Sequence, residues 1–240
     1  MSTTLTRLEN HPNADIQAMA DAIAGKQSSY NLEDKDYDTL FPPDTYRPKE
    51  FVYKFQRKAA AHLFTRLYIH NDPVCHIRGG VGVGKTYIAL RFLQNVMDSG
   101  VLKYKSLCPY TVFYVTAANV VEQTKRVFRK GGLDLNRDVL VTNYDQLRAS
   151  WGENYIEEIH KVEFGRDYYI YKWKIIHPLL FMWDEVQKLK NEQSSQSQIG
   201  QATNEITNPL VRQVSLSATP FTKISEAKFI AVSTHMSIEC

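Results

Sequence analysis

Ile77-Arg78-Gly79-Gly80-Val81-Gly82-Val83-Gly84-Lys85-Thr86 has the spacing of a phosphate loop: a glycine, four residues, then Gly-Lys-Thr. The flanks suit that reading. Val74-Cys75-His76-Ile77 ahead of it is a short apolar run of the kind a buried parallel strand shows. Behind it, Ala89, Leu90, Phe92, Leu93, Val96 and Met97 repeat at helical spacing until Gly100 stops the helix. Along Gly80, Val81, Gly82, Val83 and Gly84 the backbone N–H groups must wrap a phosphate closely. Some of these positions need a positive φ, which a Cβ penalises. Lys85 brings a point charge to the β- and γ-phosphates, the Thr86 hydroxyl is a ligand for Mg2+, and the helix start adds its partial positive charge. A glycine-rich turn with a stray lysine would not need a strand before it and a helix after it. The chain is expected to bind a nucleoside triphosphate.

Composition narrows the class. The 240 residues allow one large domain or one domain with a tail, and 43% hydrophobic residues are enough for a packed core. No apolar run is long enough to cross a membrane, and Met1 to Asn10 has no signal-peptide core. Cys75, Cys108 and Cys240 show no pairwise metal spacing. The expectation is a reduced, intracellular protein without a zinc site, nuclear or cytoplasmic. Residues 1–50 hold nine acidic and five basic side chains, which leaves +7 on the remainder of a chain whose net charge is +3. A basic body mildly favours a nucleic-acid partner.

Residues 1–48 read as an acidic extension or linker, because Glu33 to Asp38 is a charged run and Phe41-Pro42-Pro43 breaks regular structure. The domain proper is expected over 49–240. Phe51, Val52, Phe55, Ala59, Leu63 and Leu67 make one apolar helical face, which puts Gln56 on another face near the helix start. Thr111 to Val115 predicts a second strand ending at Thr116, and Ala118 to Lys130 a helix closed by Gly131-Gly132. Lys125, Arg126, Arg129 and Lys130 near that closure suit phosphates and a helix C-terminus equally well. Asp138 to Val141 predicts a third strand that ends in Thr142-Asn143-Tyr144, with a short helix over 145–149. His160 to Phe164 and Asp167 to Ile176 predict a hairpin whose Gly165-Arg166 loop suits a type II′ turn. On its second strand Tyr169, Tyr171, Trp173 and Ile175 share one face, expected to pack on the body rather than to stack on bases. Leu179 to Trp183 and Val211 to Leu216 are further strands, and the polar stretch 191–201 reads as a flexible loop.

Strands alternating with helices predict an α/β fold, a parallel sheet with helices on both faces. Ligands bind such sheets beyond the carboxyl ends of the strands. The glycine loop, Asp184-Glu185 and Ser217-Ala218-Thr219 all follow strands and should gather on one edge. Asp184 would hold the Mg2+ opposite Thr86, and Glu185 would orient the attacking water. Ser217 and Thr219 carry hydroxyls able to sense the γ-phosphate; a plain turn ended by Pro220 is the other reading.

Gly-Val-Gly-Lys-Thr at 82–86, Asp-Glu-Val-Gln at 184–187 and Ser-Ala-Thr at 217–219, in this order, resemble motifs I, II and III of helicase superfamily two. Gln187-Lys188-Leu189-Lys190-Asn191 and Val141-Thr142-Asn143-Tyr144 resemble its Swi/Snf branch, and Thr116 lies where motif Ia begins. The resemblance spans roughly residues 50–222 and implies a RecA-like P-loop NTPase lobe. It implies ATP and Mg2+ as cofactors, with Lys85, Asp184 and Glu185 in the chemistry. It also implies Gln56 reading adenine, Gln187, Ser217 and Thr219 at the nucleotide, and Thr116, Thr142, Asn143 and Tyr144 on a nucleic-acid backbone. The implied partners are nucleic acid, double-stranded DNA in the first place, and a second RecA-like lobe in the same or another chain.

Three departures bear on this. Gln187 stands where the branch usually has His, and Ala117-Ala118 lacks the proline usual in motif Ia. No second set of strands follows motif III to supply motifs IV to VI, with the arginine that reaches across the cleft. An arginine finger is worth about 10³–10⁵ in rate, so this lobe alone should hydrolyse ATP very slowly. Two other readings remain: a nucleotide-gated binding or scaffold protein without productive turnover, and an unrelated P-loop ATPase.

Overall fold

The computed structural model describes residues 53–102, 111–147, 155–174, 179–189, 194–206 and 211–218. The expected extension over 1–48, Phe51, Val52, Ile175 and Thr219 lie outside the described residues. The chain divides into two compact units, one of Met1–Asp72, Gly82–Lys103 and Val127–Leu133, the other of Pro73–Val81, Tyr104–Arg126 and Asp134–Cys240.

The first unit is helical in its described residues. Helix α1 spans Lys54–Phe64 and runs into a wider π turn, Thr65–Ile69; helix α2 spans Lys85–Ser99. The two pack on each other through Phe64, Tyr68 and Phe92, with the Tyr68 and Phe92 rings 6.4 Å apart. The apolar face expected for α1 is displaced. Gln56, Ala60, Ala61, Leu63, Phe64 and Leu67 are buried, whereas Phe55 is exposed. The polar Gln56 takes the inward position because its amide is fully used there, as described below. Gly100 ends α2 in the left-handed region at φ 65, as its place in the sequence predicts. Gly131, after helix α3 (Val121–Lys130), answers a packing need: a Cβ there would sit 2.3 Å from Leu90 Cδ1. Its carbonyl accepts from Gln94 Nε2 at 2.9 Å.

The second unit is built on a five-stranded sheet of β1 (Val74–Arg78), β2 (Val112–Thr116), β3 (Val139–Asn143), β6 (Leu180–Asp184) and β7 (Arg212–Ser217). The order is β1-β7-β6-β2-β3, and every pairing is parallel. Every residue of β2, β6 and β7 is buried, so both faces of the sheet are covered there, which explains their near-continuous apolar runs. Because all five strands point one way, Gly79, Ser217, Asp184, Thr116 and Asn143 fall along one edge. This is the arrangement expected from the alternation of strands and helices.

Strands β4 (Ile156–Glu163) and β5 (Arg166–Trp173) form a separate antiparallel hairpin. Its base packs on the sheet through Trp173, whose ring centroid is 4.7 Å from Phe181 and 5.8 Å from Phe113. Tyr171 and Trp173 are buried as expected, but Tyr169, farther out on the same face, is exposed. The turn also differs from expectation. Its two loop residues are Phe164 (φ 52) and Gly165 (φ 73), both left-handed, which is the type I′ signature rather than II′.

Two other expectations are corrected. Residues 144–147, where the helix expected over 145–149 would begin, form turns, with the Gln146 N–H donating to Asn143 Oδ1 at 2.9 Å; 148 and 149 lie outside the described residues. The stretch expected to be a flexible loop carries helix α4 (Ser195–Ala202). Ser194 caps it by accepting from the Ser197 N–H, while Ile199 and Ala202 are buried. The Ile199 carbonyl accepts from Trp173 Nε1 at 3.1 Å. A polar segment becomes helical here because a distant tryptophan gives its few apolar residues somewhere to pack.

Candidate functional site

The glycine loop begins on the sheet. Gly79 follows β1, and its N–H donates to the Ser217 carbonyl at 3.0 Å, tying the loop start to the end of β7. Farther along, Gly82 (φ 83) and Gly84 (φ 78) are left-handed. A Cβ at Gly82 would meet nothing within 4 Å, so the requirement there is conformational alone. At Gly84 a Cβ would also lie 2.3 Å from Gln56 Nε2. Gly84 opens α2, and the Tyr87 and Ile88 N–H groups donate to its carbonyl at 2.9 and 3.1 Å. Among the described residues no side chain caps this helix end, and its first turn holds no acid, which leaves an environment suited to an anion.

Gln56 is 2% exposed. Its Oε1 accepts from the Tyr53 N–H at 2.9 Å and its Nε2 donates to the Val83 carbonyl at 2.9 Å. The residue implied to read adenine is thus a clamp between the start of α1 and the glycine loop, with both ends of its amide engaged.

At the end of β6, Asp184 is 6% exposed. Its Oδ2 accepts from Tyr114 Oη at 3.0 Å and from Thr116 Oγ1 at 3.0 Å, and its carbonyl accepts from Tyr144 Oη at 2.7 Å. Burial, reinforced by the nearby Asp184 charge, pushes the Tyr114 phenol well above its usual pKa, and the same causes act on Tyr144. Both phenols therefore stay neutral donors. Glu185 sits at φ 58, a left-handed conformation costly for a residue with a Cβ and concentrated at functional sites in general. Its Oε2 accepts a short hydrogen bond from Gln187 Nε2, and Gln187 Oε1 accepts from Ser217 Oγ at 2.5 Å. A continuous path of side chains thus joins Ser217 to Glu185, with Gln187 as its middle link.

The residues expected on a nucleic-acid backbone are placed differently. Thr116 is 0% exposed with its hydroxyl on Asp184, Thr142 is buried with its hydroxyl on Gln146 Oε1, and Tyr144 is buried on the Asp184 carbonyl. None of these three side chains has surface to offer a phosphate. Asn143 is half-buried, and its Oδ1 is engaged by the Gln146 N–H. Tyr114 escaped the sequence reading. The available signal was a tyrosine hydroxyl in an otherwise apolar run, two residues from Thr116 and so on the same face, since a buried Tyr O–H needs a partner.

Among the described residues no trio of His, Cys, Asp or Glu forms a cage for a metal. A carboxylate such as that of Asp184 is the hard donor type that suits Mg2+, which is usually held by one or two carboxylates together with phosphates and water. No helix of the described residues is long and apolar enough to cross a membrane.

This sheet order, with the glycine loop after β1, defines a RecA-like α/β fold. No family model matches the chain, and no curated protein matches it either. Among solved structures the chain is similar to the Sulfolobus solfataricus SWI2/SNF2 ATPase core in complex with dsDNA, with 17% identity and a TM-score of 0.53. The match covers 80% of this chain and 37% of that one. At this identity the likeness establishes the fold alone.

Proposed function

We propose that this chain is an ATP-binding lobe of an ATP-dependent nucleic-acid motor of the Swi/Snf-like type. The observation that carries the reading is the single sheet edge on which the start of the glycine loop, the Asp184-Glu185 pair and Ser217 stand together, with Glu185 held in a left-handed conformation. In this reading Gly80 to Lys85 bind the triphosphate, and Thr86 and Asp184 hold Mg2+. The cation supplies charge neutralisation at the β- and γ-phosphates. Glu185 orients the attacking water, and the Ser217–Gln187 link reports to Glu185 on the state of the γ-phosphate. Gln56 acts here through the loop it clamps rather than through the base. The solved core of similar fold is in complex with dsDNA, and duplex DNA is the partner proposed for this chain. A second RecA-like lobe, in the same or another chain, completes the hydrolytic site.

The test is equilibrium binding of a fluorescent ATP analogue with Mg2+ to the 240-residue chain and to Lys85→Ala. The wild-type chain should bind and Lys85→Ala should bind markedly less, with an unchanged circular-dichroism spectrum. Equal affinity would remove the phosphate assignment. DNA-stimulated hydrolysis restored by adding a matching second lobe would support the motor reading; nucleotide binding indifferent to DNA and salt would support a scaffold instead.

A further inference from the structure

Three hydroxyls from two neighbouring strand ends converge on Asp184. Tyr114 and Thr116 alternate by two along β2, so both face the same side of the sheet, and both donate to one carboxylate oxygen, Oδ2. Tyr144 follows β3, which lies on the side of β2 away from β6. Its phenol reaches past β2 to the Asp184 backbone carbonyl. All four residues are buried. A carboxylate oxygen offers two acceptor sites, and on Oδ2 protein hydroxyls take both. Two on the same oxygen, plus a third on the backbone, fix the torsion of the carboxylate as well as its solvation. Hydrogen bonds to an ionised acceptor are stronger than neutral ones, so the arrangement is stiff.

We propose that Tyr114 and Thr116 are positioning residues that hold the Asp184 carboxylate in one orientation for a divalent cation bound with the triphosphate, while Tyr144 fixes the backbone beneath it. This rests on the assignment of Asp184 to Mg2+ made above. It also gives Thr116 and Tyr144 a role on the metal side of the chemistry in place of the nucleic-acid side. Partners that orient a ligating side chain are typically worth 10–100-fold in metal affinity. A purely structural role would lower stability and leave the metal requirement where it was.

The experiment is a Mg2+ titration of the 240-residue chain with a fluorescent ATP analogue, paired with a nucleotide titration in EDTA. For Tyr114→Phe and Thr116→Val, the Mg2+ concentration at half-maximal binding should rise about tenfold or more. Affinity in EDTA should stay within about twofold of wild type, and Thr116→Ser, which keeps the hydroxyl, should keep the wild-type Mg2+ midpoint. Midpoints of Tyr114→Phe and Thr116→Val both within about twofold of wild type would overturn the proposal, whatever their melting temperatures. If Thr116→Val does not fold, Tyr114→Phe, which removes a single oxygen, decides alone. A wild-type chain that binds nucleotide equally well in Mg2+ and in EDTA would overturn the assignment of Asp184 itself. A wild-type chain that binds no nucleotide would overturn the functional reading, so the failures are distinguishable.

Discussion

Lowering the pH from 7 to 5 should destabilise the fold by about 2 kcal/mol through one side chain, His76. His76 lies in the middle of β1, opposite Ser215 of β7, and its Nε2 is buried with no hydrogen-bond partner among the described residues. Burial pushes the imidazole down from 6.5 to about 4. Near pH 7 the ring is essentially neutral in both the folded and the unfolded chain, and nothing is lost. Between 6.5 and 4 the unfolded chain takes up a proton that the native chain refuses, so stability falls as pH falls. Each pH unit across that interval is worth about 1.4 kcal/mol, giving about 2 kcal/mol at pH 5 and somewhat over 3 kcal/mol in full. Urea denaturation at pH 7 and pH 5, on wild type and His76→Leu, isolates this contribution, because the carboxylates that also titrate are common to both proteins. The loss between the two pH values should be about 2 kcal/mol smaller in His76→Leu. An identical pH dependence in the two proteins would show that the imidazole is solvated or paired, and the burial argument would fall.

The hairpin tip offers a stabilising change: Phe164 is 102% exposed and left-handed, so Phe164→Asn, which suits a type I′ turn, should raise stability by about 1 kcal/mol in the same denaturation assay. Gly131→Ala should cost about 1–3 kcal/mol, because its Cβ meets buried Leu90; an unchanged midpoint would mean that the helix and loop separate freely. Gln56→Ala leaves the Val83 carbonyl and the Tyr53 N–H without their partner, and should lower stability by about 1–3 kcal/mol while weakening ATP and GTP binding alike. A selective loss of ATP over GTP would instead restore base reading as its role. Glu185→Gln should retain binding of ATP with Mg2+ and abolish turnover in the enzyme completed by a second lobe; retained turnover would assign the water-orienting role elsewhere.

Much of the fold was legible in the chain itself, because the signals involved are local. The glycine loop announces itself by residue type and spacing, since glycine adopts the left-handed backbone of Gly82 and Gly84 at the least cost. Strands β2, β6 and β7 show as short apolar runs because each is buried on both faces, and Gly100 marks the end of α2 by its own conformation. The parallel alternation of those elements was enough to place Asp184 and Ser217 on the edge where the loop begins. Helix α4 was not legible: its apolar content is too sparse to show a period, and it forms where Trp173 and the sheet supply a packing surface. The inward face of α1 was misjudged for a related reason. Hydrophobicity ranks Phe55 above Gln56, but an amide with two backbone partners can be buried at little cost, while an aromatic ring without a cavity stays outside.

What the sequence determined alone was a glycine-rich loop on a parallel α/β sheet, together with an acidic pair and a hydroxyl tripeptide at strand ends. These depend on steric limits of single residues and on periodicity along a few neighbours. The tertiary structure decided what each of those groups touches. It turned Thr116 and Tyr144 inward onto Asp184, recruited Tyr114 beside them, and linked Ser217 to Glu185 through Gln187. Those bonds join residues up to 70 positions apart, and a hydroxyl's partner is set by which strands become neighbours rather than by anything adjacent in the chain.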